Sequence, residues 1–172
     1  AIRRYRPDAA MYVDSRTLRN LEVLSSMADS SSARGTLFGV IDRTVTPMGG
    51  RLLKTWITNP LLDPGAINAR LDGVGELVAH PSALKETEPL LEKIRDVERL
   101  MSRVCLDRAN PRDMVALADS VECSHDLRET LKDIETPVIS DCVSHIADLR
   151  GVAARIFSAI VDDPPMLVSE GG

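Results

Sequence analysis

Prolines punctuate this 172-residue chain where helices begin and end. Proline suits the first helical position, where its missing N–H is not needed, and the residue before a proline avoids the α region. Thr46-Pro47 therefore reads as an N-cap followed by the first helical residue, and Met48, Leu52, Leu53, Trp56 and Ile57 then share one face. Asn59-Pro60 ends that helix. Asp63-Pro64 starts the next, with Ile67, Leu71, Val74 and Val78 as its apolar stripe, and His80-Pro81 stops it. Ser82 reads as the cap of a short helix that Pro89 restarts or kinks before Ile94. Asp96 caps another, with Val97, Leu100, Met101 and Val104 as its buried stripe. Asn110-Pro111 opens a further helix, with Asp113 near its positive end. Met114, Leu117 and Val121 continue it inward, and Leu127, Leu131 and Ile134 extend the pattern to Pro137, with a break expected around His125. Ile139, Cys142, Val143, Ile146, Leu149, Ala153, Ile156, Phe157 and Ile160 keep helical spacing over a long span in which Gly151 is the weak point. Asp162-Asp163-Pro164-Pro165 stops it.

Ahead of Thr46 the signals change. Residues 9–13 read as extended, Asp14 or Ser15 as the cap of a helical turn through Arg19, and Asn20–Leu24 as a second short strand because apolar residues alternate there. Residues 25–34, rich in Ser, Ala and Asp, read as an exposed loop, and Met166-Leu167-Val168 as extended. Aromatic residues are only 3% of the chain, so the core must come from aliphatic side chains, the usual palette of packed helices. The expectation is an all-α, mainly helical fold: an irregular bundle of six or seven helices, with a short β element near the N-terminus and residues 1–172 forming one domain. No heptad register or fixed-period repeat is sustained.

Composition excludes several functions. The net charge of −5 argues against a surface that holds nucleic acid by counterion release. No apolar run approaches a membrane span, and the basic start, Arg3, Arg4 and Arg6, lacks the apolar stretch of a signal peptide and reads as a solvated terminus. Three widely spaced cysteines, Cys105, Cys123 and Cys142, suggest reduced thiols and a cytoplasmic setting. Two patterns tempt a chemical reading. Gly49–Thr55 ends in Lys-Thr like a phosphate-binding loop, but Leu53 stands where that loop needs glycine, and the segment lies in a predicted helix whose N–H groups are already bonded. Cys123-x-His125 and Cys142-x-x-His145 offer four soft ligands in spacings unlike the common zinc sites, and Cys142 falls on an apolar stripe. Among Ser, His80, His125, His145 and Asp no catalytic set is singled out, and Asp63, Asp96 and Asp113 have structural explanations as caps. The residues themselves point to no enzyme, no cofactor and no metal.

Seven blocks in order resemble the MutS family of DNA mismatch-repair proteins: Met11–Asp14 through Arg19–Val23, Leu37–Leu53, Trp56–Asp63, Arg70-Leu71-Asp72-x-Val74, Asp96-x-Glu98-Arg99-Leu100, Arg108–Asp113, and Asp162–Pro165 through Glu170–Gly172. Leu37–Leu53 is the most specific, and residues 124–158 are the least family-like. The resemblance runs from about residue 9 to the end. It implies the core, or lever, domain (domain III), in the part that precedes the clamp insertion. It further implies a parent protein that is a DNA-dependent ATPase using ATP and Mg, dimeric with a second subunit, bound to mismatched double-stranded DNA, and working with a MutL-family partner and with the other domains of its own chain. It carries no catalytic or mismatch-reading residue onto this sequence.

Densely packed helices pass displacement as rigid bodies, so the expected role is a transmitter between nucleotide state and DNA grip. The expected structural joint is Asp42, Arg43, Thr46, Pro47, Gly49, Gly50 and Arg51: Thr46 caps, Pro47 fixes the entry, the two glycines permit close approach, and Arg43 or Arg51 pairs with an acid of a neighbouring element. Two other classes compete: a stand-alone helical protein-interaction module, and a small metalloprotein using the Cys/His set.

Overall fold

The structure, a computed structural model, describes residues 10–29 and 32–166. Among them are nine α-helices: α1 (Ser15–Asn20), α2 (Leu37–Ile41), α3 (Pro47–Thr58), α4 (Pro64–Ala79), α5 (Pro81–Lys93), α6 (Val97–Cys105), α7 (Pro111–Leu131), α8 (Pro137–Ser144) and α9 (Arg150–Ala159). The fold is all-α, as the proline punctuation implies. The basic start, Arg3 to Arg6, and the expected extension at Leu167-Val168 lie outside the described residues. The chain divides into two compact units, Ala1–Leu71 and Asp72–Gly172, and the division falls within α4.

The first unit is held by its helix ends. Asp14 caps α1, accepting from the N–H groups of Arg16 and Thr17 at 2.9 and 3.0 Å and from the Thr17 hydroxyl at 2.6 Å. The extended start contributes one antiparallel bridge, Ala10 with Leu61, beside a bond from Met11 N–H to the Pro60 carbonyl at 2.7 Å. Asn20–Leu24 is not a strand. The chain turns there, with Glu22 at φ +47, and the Glu22 and Val23 carbonyls accept from the Leu37 and Phe38 N–H groups at 3.2 and 2.9 Å. Those N–H groups lack intrahelical partners at the start of α2, so the apparent strand residues serve as its external acceptors. Alternating apolar residues over so short a run fit a turn as well as a strand. Among the described residues of this unit, Val23, Thr36 and Phe38 are buried. Two cation–π contacts add to them: Lys54 Nζ lies 4.8 Å from the Phe38 ring centroid, and the Arg70 guanidinium carbon 3.9 Å from that of Trp56.

The second unit is built around α7, which packs most extensively against α5 and α9 and less so against α6 and α8. Ala118 on α7 and Ala153 on α9 have no exposed surface, and such small side chains allow two helix backbones to approach closely. Ile94, Leu100 and Ile134 are buried as well. Where α4 faces α8, a Cβ on the buried Gly73 would lie 3.5 Å from Val138, which leaves contact distance and little more.

Several boundaries differ from the sequence expectation, each for a local reason. α7 runs unbroken through His125, because packing against α5 and α9 outweighs the weak helix propensity of Ser124-His125. α5 runs through Pro89 from a start at Pro81, with His80 rather than Ser82 in the cap position. Lys85 and Pro89 are both exposed, so the carbonyl that loses its helical donor can bond to water. The long final pattern breaks at residues 145–149, not at Gly151, which sits inside α9 with open space around it. There the His145 N–H closes α8 onto the Asp141 and Cys142 carbonyls, and Asp148 binds Arg150 through Nε at 2.9 Å and Nη2 at 2.6 Å. Cys142 is exposed. Apolar spacing also misjudges cover: Leu52 and Trp56 on α3, and Ile67, Leu71, Val74 and Val78 on α4, are all exposed. A stripe states which side a helix prefers to bury, and only neighbouring chain can bury it.

Candidate functional site

The Leu37–Leu53 block folds as two helices joined by a five-residue turn, and hydroxyl groups fix both starts. Thr36, nearly fully buried, accepts from the Gly39 N–H at 3.0 Å and donates to the Ala33 carbonyl at 2.6 Å. A Cβ on Gly39 would collide with that same carbonyl, so only glycine fits here. Thr46 stands in extended backbone (φ −109, ψ 143) and accepts from the Gly49 N–H at 3.0 Å, with Pro47 at the first helical position. A Cβ on Gly49 would come within 2.9 Å of the Thr46 hydroxyl and 3.4 Å of Thr44 Cβ, and one on Gly50 within 3.3 Å of the Thr44 hydroxyl. The two glycines therefore seat the turn against the helix start.

Asp42 ends α2 and accepts from the Thr44 N–H at 3.0 Å and the Thr44 hydroxyl at 2.6 Å. These bonds, the hydroxyl first, hold its carboxyl below the usual carboxylate range against a slight opposing desolvation, and Lys54 and Arg43 add attractions that are smaller still. Arg43 Nη1 donates to the carbonyl of its sequence neighbour Asp42 at 2.9 Å. Arg51 lines an open groove of about 350 Å³ together with Phe38, Asp42, Thr44, Thr46 and Lys54, among others. All seven expected joint residues thus fall in one stretch of the first unit. The contacts of Asp42, Thr46, Gly49 and Gly50 are positional: caps, a turn and a close approach. The Lys-Thr of the phosphate-loop look-alike lies well inside α3, and the N–H groups of Gly49 and Gly50 are spent on Thr46. No group of three or more His, Cys, Asp or Glu comes together among the described residues. Burial pushes the Cys123 thiol up, which favours its unreactive protonated form.

A second constellation, only partly visible in the sequence, lies along α7. Asn110 and Asp113 form a reciprocal capping box at 2.8 and 2.9 Å, and Asp113 also accepts from Arg103 Nη1 of α6 at 2.8 Å. Ser120, fully buried, donates to the Ala116 carbonyl at 2.7 Å and accepts from the Arg95 N–H at 3.0 Å, which fixes the α5–α6 connection. Arg128 Nη1 donates to the Ile146 carbonyl at 3.2 Å in the α8–α9 connection, and Arg112 Nε to the Pro164 carbonyl at 2.7 Å beyond α9. One helix therefore ties the connections of its unit by single side chains. Asp113 announces itself as a cap. Ser120 leaves one signal, a small polar residue between the inward positions Leu117 and Val121. Arg103, Arg112 and Arg128 leave none, because a long cation looks alike on a solvated face and on a neighbour's carbonyl.

With this geometry in view, residues 16–172 match the model of MutS domain III. The DNA mismatch repair protein MutS of Symbiobacterium thermophilum is 42% identical over 168 residues, covering 98% of this chain and 19% of that protein. Those of Methanosarcina barkeri and Ruminiclostridium cellulolyticum are 40% and 38% identical over 99% and 98% of the chain. The chain spans about a fifth of the length of these curated relatives. The Leu37–Leu53 block and the Arg108–Asp113 helix start both fall within the matched span, and the chain belongs to the MutS family as its domain III.

Proposed function

We propose that this chain is the structural core and lever segment of a DNA mismatch-recognition ATPase, and that it couples nucleotide state to DNA grip without chemistry of its own. Residues 1–172 then act as one domain ahead of the clamp insertion. ATP and Mg bind elsewhere in the parent protein, whose partners are mismatched double-stranded DNA, a second subunit and a MutL-family protein. The observation that carries the reading is the joint before α3. That helix is fixed at its start by Thr46, Pro47, Gly49 and Gly50, yet none of its twelve residues is buried. A helix set firmly at one end and only partly covered along its length suits a part that swings as a rigid body between two arrangements. The exposed apolar side chains of α3 and α4 support the same reading, since other domains of one long chain would cover them.

The test uses the full-length protein with Thr46→Ala. Losing the cap should cost about 1 kcal/mol of stability and should also loosen the control of ATP over release of mismatched DNA. Release rates equal to wild type, alongside a confirmed stability loss, would reject the transmitting role and leave the joint as packing alone. No helix among the described residues is long and apolar enough to cross a membrane.

A further inference from the structure

The segment that follows α9 has an unusual difficulty in holding its place. It reads Asp162-Asp163-Pro164-Pro165. Neither proline has an N–H, and Asp163 precedes one, so it avoids the α region. At these prolines the backbone can neither extend the helix nor donate into another element; it can only accept. One acceptor is taken: the Pro164 carbonyl receives the Arg112 Nε–H at 2.7 Å, from a residue 52 positions earlier in the first turn of α7. Pro164 is buried while the residues on its N-terminal side are exposed, so the chain dips inward where that bond is made.

Arg112 also approaches the Asp163 carboxylate, at 3.7 Å, but that side chain is 96% exposed, so solvent screens the pair. The bond to the carbonyl is therefore the one that fixes direction. It comes from a planar guanidinium whose donors are set in a rigid fork. Its root is rigid as well: Arg112 lies between the capping residue Asn110 and Asp113, and Asp113 is held both by the capping box and by Arg103.

We propose that Arg112 is a latch that sets the path of the chain as it leaves α9, so that residues 160–166 follow the start of α7. The inference concerns the second unit alone and stands apart from the transmitting role proposed above. It makes Arg112 a positioning residue, with the carbonyl bond as the operative contact and the charge pair as a bystander.

The test is a spin-label distance measurement on the full-length protein in a cysteine-free background. One label pair is at Asp119 on α7 and Met166 on the exit segment, and a control pair is at Asp119 and Ala154 on α9; all three side chains are exposed. The wild-type exit pair should give a single narrow peak. Arg112→Gln should lose that peak to a broad distribution while the control pair stays narrow. Arg112→Lys, which keeps the charge without the fork, should broaden it less, and Asp163→Asn should leave it narrow. An unchanged exit pair in Arg112→Gln would overturn the latch. So would equal broadening of the control pair, which would make Arg112 a general packing residue, or an Asp163→Asn effect as large as that of Arg112→Gln.

Discussion

The two units of this chain reach order by different means. In the second, α7 lies against α5 and α9, buries Ala118 and Ala153 completely, and reaches out with Arg112, Asp113, Ser120 and Arg128 to hold the connections around it. In the first, the buried apolar side chains are Val23 and Phe38, and the geometry is set at helix ends by Asp14, Thr36, Asp42 and Thr46. Packing resists deformation in all directions, because every displacement opens a void or forces an overlap. A cap fixes where a helix begins and leaves its far end free. The second unit therefore rests mainly on side-chain packing, and the first on the bonds that fix where its helices begin.

The difference breaks most visibly under truncation of large apolar side chains. Leu100, buried on α6, should cost about 3 kcal/mol as Leu100→Ala, since transfer and cavity terms add. Leu52, half exposed on α3, should cost less than about 1 kcal/mol as Leu52→Ala, because little area leaves water there to begin with. Chemical denaturation of both variants checks the ratio. Equal losses would mean that α3 is packed as well as α6, and the contrast between the units would fail.

Caps should show the reverse emphasis. Asp113→Ala removes half of a capping box and strands Arg103 without its carboxylate, for about 2 kcal/mol. Yet α7 should keep its helical amides protected from exchange, because α5 and α9 still cover it. Gly39→Ala drives a methyl into the Ala33 carbonyl at the start of α2 and should cost about 2 kcal/mol as well. There the damage should be local: amide exchange over Leu37–Ile41 should rise toward unfolded rates, since this five-residue helix is held by its cap, by the Glu22 and Val23 carbonyls at its start and by the burial of Phe38. Protection of α2 that survives in Gly39→Ala would show that packing, and not its start, maintains it.

The same contrast explains what the sequence discloses. Helix starts are written in short-range chemistry, so Thr46-Pro47, Asp63-Pro64, Asp96 and Asn110-Pro111 locate α3, α4, α6 and α7 closely. The short α2 is missed, because five residues carry too little period to register, although its cap Thr36 precedes it in plain form. Burial is legible only where the covering chain is present: Leu100 and Ile134 lie inside as their stripes imply, while Ile67, Leu71, Val74 and Val78 do not. The local bonds of the Asp42–Arg51 stretch are legible because they span two or three positions, as between Asp42 and Thr44 or Thr46 and Gly49. The ties made by α7 span between 10 and 52 positions, and no local pattern encodes a partner so distant.

The smallest predicted effect tests the end-fixing carboxylates of the first unit. Hydrogen bonds from Thr17 to Asp14 and from Thr44 to Asp42, the hydroxyl bonds foremost, hold both carboxyls below the usual carboxylate range. A carboxyl whose folded pKa is depressed stabilises the fold fully above its unfolded pKa and loses that contribution as pH falls through the folded value. Both groups are solvent-exposed, so the loss should appear as local fraying below about pH 4 and not as global unfolding. Titration followed by NMR should place the Asp42 carboxyl below a free aspartate, with the Thr44 amide shifting in the same step and the Ala118 amide unmoved. The Thr44→Val variant removes the hydroxyl and should bring Asp42 back toward the ordinary value while the Thr44→Val backbone bond persists. An Asp42 that titrates like a free aspartate in the wild-type protein would mean that the turn before α3 is not fixed by this carboxylate, and the start of α3 would then rest on Thr46 and the glycines alone.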